Sequence, residues 1–146
     1  MRHRLKKIKF RGGKDANKML VRKLAVNFFE HGKITTTRAK AKVLISFLEK
    51  ICSKIKEKTE ANKNYLFKKL GNGKTIKTLF KEIGPAIKAK TSGYIKKTNL
   101  GMRLSDGSEM TKLEWSIPVV LESKKKVKTP TKTTVKSVKK ADVKNK

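Results

Sequence analysis

Forty lysine and arginine side chains stand against eleven aspartates and glutamates in this chain of 146 residues, a formal charge of +29. Like charge at that density opposes any compact state, and a partner that brings counter-charge relieves it by binding the folded form preferentially. The fold is therefore expected to be one shaped to lie on a polyanion. Arginine occurs only at Arg2, Arg4, Arg11, Arg22, Arg38 and Arg103, so lysine supplies the other 34 cations. Lysine is a flexible point charge, whereas the planar arginine fork matches phosphate and base edges with two prongs. Most of this surface suits phosphate neutralisation more than sequence reading. Length allows one compact domain and little more.

Other classes of function find few residues to build on. Cys52 is the only cysteine, which rules out a disulfide framework or a cysteine-based metal site within the chain and fits a reducing compartment. No stretch approaches the roughly 18 apolar residues of a membrane span, and no apolar signal core follows the basic start. Cytoplasmic residence without membrane contact is expected. His3 and His31 have no companion cluster of Cys, Ser or carboxylates, so no triad or metal signature forms. The chain is expected to be no enzyme and to need no cofactor and no small-molecule substrate. Gly71-Asn72-Gly73-Lys74-Thr75 is superficially like the end of a phosphate loop. Lys68 stands where that loop needs its first glycine and a helix precedes it, so a turn is the better reading. Cys52 falls on an apolar helix stripe and reads as core.

Charge and periodicity divide the chain into three parts. Residues 1–14 form a basic N-terminal arm with Arg2, His3, Arg4, Lys6, Lys7, Lys9, Arg11 and Lys14, ending after the Gly12-Gly13 pair. Residues 15–122 carry the apolar patterns of an α+β domain, and because much of the positive charge lies outside the tail, this domain is itself expected to bind RNA or DNA. Residues 123–146 hold ten lysines and one acid among Thr, Val and Ser, with no aromatic. That composition is expected to be disordered on its own.

Within the domain, Asp15 is expected to cap a helix whose Leu20, Leu24 and Phe28 recur every four residues until Gly32 stops it. Lys18 and Arg22 lie off or at the border of that apolar face, within reach of a phosphate backbone. Lys33 to Thr37 is β-branched and reads as a strand, with Thr37 placed to cap the next helix. That helix runs from about Arg38 to Lys58 with Leu44, Phe47, Leu48, Ile51, Cys52 and Ile55 as its stripe. A third runs from about Glu60 to Leu70. A fourth, carrying Ile76, Leu79, Phe80 and Ile83, is expected to break at Gly84-Pro85. Tyr94 to Leu100 and the alternating Leu113, Trp115 and Ile117 read as strands joined through a turn at Ser105-Asp106-Gly107-Ser108. The sum is an α+β fold: several helices packed on a small mixed sheet of about three strands. Tyr94, preceded by Gly93 and followed by Lys96 and Lys97, is open to two readings: an RNA contact, by stacking on an exposed base or hydrogen bonding to phosphate, or a core residue.

Several motifs together resemble a known family. They are Met1-Arg2-His3-Arg4, Met19 with Arg22-Lys23-Leu24, His31 followed by Ile34-Thr35-Thr36-Thr37, and Lys40-Ala41-Lys42. Later come Leu79-Phe80-Lys81-Glu82-Ile83-Gly84-Pro85, Gly93-Tyr94, Gly101-Met102-Arg103, and Asp106 followed by Met110 and Leu113-Glu114. In order and approximate spacing, over about residues 1 to 116, they resemble the bacterial large-subunit ribosomal protein family numbered seventeen. The resemblance implies an α+β domain packed on 23S ribosomal RNA, with a structural role in subunit assembly and translation. It also implies other large-subunit ribosomal proteins as neighbours, a small zinc-ribbon protein on the exit-tunnel side among them. Carried over position by position, it implies Arg2, His3, Arg4, Arg22, Lys40, Lys42, Tyr94 and Arg103 as RNA-facing. The chain departs from the family at Ala86, where an arginine usually follows Gly-Pro. It departs again at Ser92-Gly93-Tyr94-Ile95-Lys96-Lys97, which replaces a Gly-Gly-Tyr-Thr-Arg-Ile pattern and puts lysine where arginine is usual. The rival reading is a nonspecific, histone-like DNA-compacting protein, for which the lysine-rich tail is suggestive.

Overall fold

In the computed structural model, which describes residues 8 and 10–119, helix α1 (Lys14–His31) starts from Gly13, and no side chain caps its amides. The expected Asp15 cap is thus corrected. Asp15 lies inside the first turn, where its charge suits the positive end of the helix and pairs with Lys18 at 3.3 Å. Gly32 ends the helix at φ 71°, donating its amide to the Phe28 carbonyl at 2.8 Å.

Strand β1 (Lys33–Thr37) leads directly into α2 (Arg38–Ile55). Thr37 holds the cap position, yet its hydroxyl accepts no backbone amide, a second correction. Helix α2 buries Ala41, Leu44, Leu48, Ile51, Cys52 and Ile55. Each buried leucine or isoleucine contributes about 1.5–3 kcal/mol relative to exposure, so α2 is the central beam of the core. Helix α3 (Glu60–Leu70) is capped by Thr59, whose Oγ1 accepts the Asn62 amide at 3.3 Å.

The expected break at Gly84-Pro85 does not occur. Helix α4 (Gly73–Thr78) runs into a π turn (Leu79–Ile83) and on into α5 (Gly84–Ile87), with the Gly84 amide donating to the Leu79 carbonyl five residues back. The wider turn delivers Pro85 to the first turn of α5, where a missing amide costs nothing. Leu79, Ile83 and Ile87 thereby keep a common buried face.

Strands β2 (Ile95–Met102) and β3 (Glu109–Trp115) complete a sheet of order β1-β3-β2. Both pairings are antiparallel, so the sheet is not mixed as expected. Ile34 faces Leu113 and Thr36 faces Thr111 across the β1–β3 pair, and these four side chains are buried. Ile117 lies past the end of β3, partly buried against the core. The Trp115 ring centroid sits 4.8 Å from that of Phe28 and 6.0 Å from that of Phe29, which locks the end of α1 to β3. Residues 1–7, 9 and 120–146 lie outside the described residues, and with them most of the basic arm and the lysine-rich tail.

Candidate nucleic-acid interface

Alternation along the strands puts one set of side chains on the sheet face turned away from the helices. Lys33 pairs with Glu114 and Glu114 with Lys96 in one row across the three strands; Thr35, Lys112 and Thr98 form the next. Lys112 Nζ contacts Glu114 Oε1 at 2.5 Å. Lys112, foremost, and then the charges of Lys33 and Lys96 hold the Glu114 carboxyl below its ordinary range, with desolvation opposing them. Three lysines therefore surround one carboxylate on a flat face bordered by threonine hydroxyls. One negative charge cannot neutralise three cations, so the face retains positive potential and offers donors at strand spacing.

Helix α2 supplies a second array. Lys42, Ser46, Lys50, Ser53 and Lys54 are exposed along the side opposite its buried stripe. At 1.5 Å per residue the three lysines span about 18 Å of helix axis. Lys40 sits on the other flank, half-buried, so Lys40 and Lys42 do not share a face. At the start of α1, Lys14 and Lys18 are exposed, with Lys18 paired to Asp15; Arg11 is exposed just before it.

Three residues expected to face RNA are differently engaged. Tyr94 is 1 % exposed, with its hydroxyl donating to the Thr91 carbonyl at 2.6 Å and Lys56 Nζ lying 5.3 Å from its ring centroid. The ring is a core residue, which corrects the stacking reading. Arg22 donates from Nε to the Lys69 carbonyl at 2.8 Å and from Nη2 to the Lys68 carbonyl at 3.1 Å, tying α1 to the C-terminus of α3. Arg103 grips Asp106 with both Nε and Nη2 across the β2–β3 turn. Both guanidinium groups are thus committed to protein acceptors. Lys96 and Lys97 are exposed but alternate in direction, Lys96 pairing across from Glu114 and Lys97 from Leu113. Arg2, His3, Arg4, Lys6, Lys7 and Lys9 fall outside the described residues.

The RNA-facing set expected from the sequence leaves out Lys33 and Lys112 on the sheet, and also Lys50 and Lys54, although these two lie off the apolar stripe of α2 as expected. Period-two alternation through Lys33-Ile34-Thr35-Thr36-Thr37 and Lys112-Leu113-Glu114 carried the first signal, and the i, i+8, i+12 spacing from Lys42 the second.

Other chemistry has little footing here. Burial, helped by the Glu49 charge, pushes the Cys52 thiol up to about 12, so it stays protonated in the core. Gly71 closes α3 and Asn72 caps α4 by accepting the Lys74 amide at 3.1 Å, a turn in place of a phosphate loop. Among the described residues no three His, Cys, Asp or Glu side chains converge to hold a metal ion, and no helix is long and apolar enough to cross a membrane.

Comparison with known proteins adds an independent line. The sequence model of the family described as Ribosomal protein L17 matches residues 20–116. The chain is 34% identical over 116 residues to the large ribosomal subunit protein bL17 of Methylacidiphilum infernorum, covering 80% of this chain and 88% of that protein. It is 35% identical over 124 residues to bL17 of Fervidobacterium nodosum, covering 78% of this chain and 98% of that one. For bL17 of Persephonella marina the identity is 38% over 117 residues, covering 79% and 94%.

Proposed function

The chain belongs to the ribosomal protein L17 family, and from that premise we propose that it is a structural constituent of the large ribosomal subunit that binds 23S ribosomal RNA and supports subunit assembly. The single observation carrying the RNA-binding part is the outer sheet face, where Lys33, Lys96 and Lys112 surround Glu114 alone. Phosphates that dock there displace condensed counterions, and the release supplies affinity. The α2 ridge of Lys42, Lys50 and Lys54 extends the contact along a second line of phosphates. Lys14, Lys18, Lys40 and Lys97 add charge at the margins. The division into an arm (residues 1–14), a body (15–122) and a tail (123–146) belongs to the same reading: the body supplies shape, and the two basic ends add phosphate neutralisation. The ribosome is its cellular location, and other proteins of the large subunit are its neighbours.

The test is a salt titration of affinity for a 23S ribosomal RNA fragment. Each phosphate contact contributes about 0.7 to the slope of log affinity against log salt on single strands. Replacing Lys33, Lys96 and Lys112 together by alanine should flatten the slope by about 2, while Arg103→Ala leaves it unchanged. An unchanged slope in the triple variant would remove the sheet face from the interface. Equal affinity for long duplex DNA in competition, with no co-sedimentation with large subunits after a high-salt wash, would instead favour a DNA-compacting protein.

A further inference from the structure

The β2–β3 hairpin tip is unlike the rest of the molecule. From Thr98 to Thr111 there is no lysine, the longest such run in a chain that carries 34 of them. Within that run Leu100 is 52 % exposed, Met102 73 % and Leu104 105 %. Among the described residues only Ile8, Met19 and Phe67 are other large apolar side chains so exposed, and they are scattered. The few charges at the tip are neutralised internally. Arg103 is held by Asp106 through two hydrogen bonds, and Arg38 Nη1 reaches Glu109 Oε2 at 2.7 Å. A groove of about 160 Å³ opens beside them, bounded by Asn99, Gly101, Met102 and Met110 with the Arg38–Glu109 pair at its edge.

The tip is also held in shape. The Arg103 amide donates to the Ser108 carbonyl at 2.9 Å and the Gly107 amide to the Arg103 carbonyl at 2.8 Å. Asp106 accepts in addition from the Ser108 hydroxyl at 2.9 Å and amide at 3.2 Å. A bulge at Leu100, where the register shifts between Asn99 and Gly101, leaves that side chain without a cross-strand partner. A fixed turn that presents three apolar side chains to water loses little conformational entropy on docking.

Nucleic acid is a poor match for this surface. Phosphates need unpaired cations, and none is present at the tip. An exposed base stacks on aromatic rings or guanidinium planes; the tip has no aromatic, and the charge of its one guanidinium, at Arg103, is neutralised by Asp106. Apolar side chains gain instead by leaving water against other apolar side chains, and methionine adapts its shape to a partner.

We propose that the hairpin tip, through Leu100, Met102, Leu104 and the groove beside Met110, docks on an uncharged apolar surface of a neighbouring protein within the same ribonucleoprotein particle. This rests on the reading that the chain works inside that particle. The molecule then has two chemically distinct sides: lysine-bearing faces for phosphate and a neutral apolar tip for protein. Because the two respond differently to salt, they can be separated experimentally. High salt screens the phosphate contacts and leaves the apolar one intact.

The experiment places a benzophenone photo-cross-linking residue at position 104 of the full chain, and in a second preparation at position 42, and irradiates purified large ribosomal subunits that carry it. Position 104 should yield an adduct that survives ribonuclease and is lost to protease; position 42 should yield an RNA adduct. In parallel, the double variant Met102→Ser with Leu104→Ser should bind a 23S ribosomal RNA fragment within about twofold of the parent, yet be retained on high-salt-washed particles about tenfold less. Both side chains are exposed, so folding is not at stake, and a melting curve checks it. An RNA adduct at position 104, no adduct there at all, or unchanged retention of the double variant would each overturn the docking proposal while leaving RNA binding in place. Absence of the chain from the particles would overturn both.

Discussion

Thr111 sits in the middle of β3, fully buried, with its hydroxyl oxygen lacking any hydrogen-bond partner. Removing the hydroxyl while keeping the branched shape should help, since an unpaired buried polar group costs about 1–3 kcal/mol. Thr111→Val is expected to raise Tm by about 5 °C, measured by calorimetry; a fall would mean that the hydroxyl finds a partner in solution. Asp106 presents the opposite situation, a carboxylate whose two oxygens each accept two hydrogen bonds. The Arg103 side chain first, then the Ser108 hydroxyl and amide, hold it far below its ordinary range. A group depressed in this way contributes stability above its unfolded value of about 4 and loses it as pH falls through the lower folded value. Because the carboxylate is exposed, the effect is local. The Gly107 and Ser108 amide resonances should therefore titrate well below pH 4, and not at all in Asp106→Asn. A midpoint near 4 would show that the turn's donors are not in place. Arg103 and Asp106 are three residues apart across a turn whose place the sequence does show, yet the turn alone did not reveal that Arg103, expected to face RNA, pairs with Asp106. The burial of Tyr94 was not legible either: its neighbours Gly93, Lys96 and Lys97 are exposed, and its place in the core comes from tertiary packing, with the Lys56 ammonium 5.3 Å from the ring centroid.

At the scale of elements, the strong periodicities were reliable guides because burial rewards them directly. The stripe from Leu44 to Ile55 and the β-branched run Ile34 to Thr37 form the helix and strand their spacing implies. What sequence could not supply were contacts between elements. Arg22 looks like a surface cation on α1, but its acceptors Lys68 and Lys69 are 46 and 47 positions away. The path through Pro85 depends likewise on a π turn that no local rule demands, stabilised by burying Leu79, Ile83 and Gly84 against α2; a Cβ at Gly84 would approach the Ile55 carbonyl oxygen to 3.4 Å. Arg22→Ala separates structural from RNA-binding roles. It leaves the last carbonyls of α3 without their charged donor and should lower stability by about 1 kcal/mol, read as a lower denaturant midpoint with unchanged m-value. The salt slope of RNA binding should not move. A reduced slope with unchanged stability would return Arg22 to the interface.

For the whole molecule, salt should act in opposite directions on folding and on binding. Among the described residues only five carboxylates, Asp15, Glu60, Asp106, Glu109 and Glu114, form ion pairs, all on partly or largely exposed side chains. Such exposed pairs are screened by solvent and contribute little, too little to offset the mutual repulsion of a chain at +29. Repulsion of this kind acts between many lysines over tens of ångströms, and raising ionic strength from 0.01 M to 0.1 M shortens the screening length from about 30 Å to about 10 Å. Adding salt therefore relieves repulsion more than it weakens the short ion pairs, so Tm of the free protein should rise over that interval. The same addition lowers affinity for RNA by removing the counterion-release advantage. A polyanion binds the folded state preferentially and should raise Tm at low salt by more than salt alone does. Calorimetric melts at the two ionic strengths, with and without a 23S ribosomal RNA fragment, measure all three effects together. A Tm that falls with added salt in the free protein would mean that favourable pairs, and not lysine repulsion, dominate its electrostatics, and the dependence of this fold on an anionic scaffold would have to be abandoned.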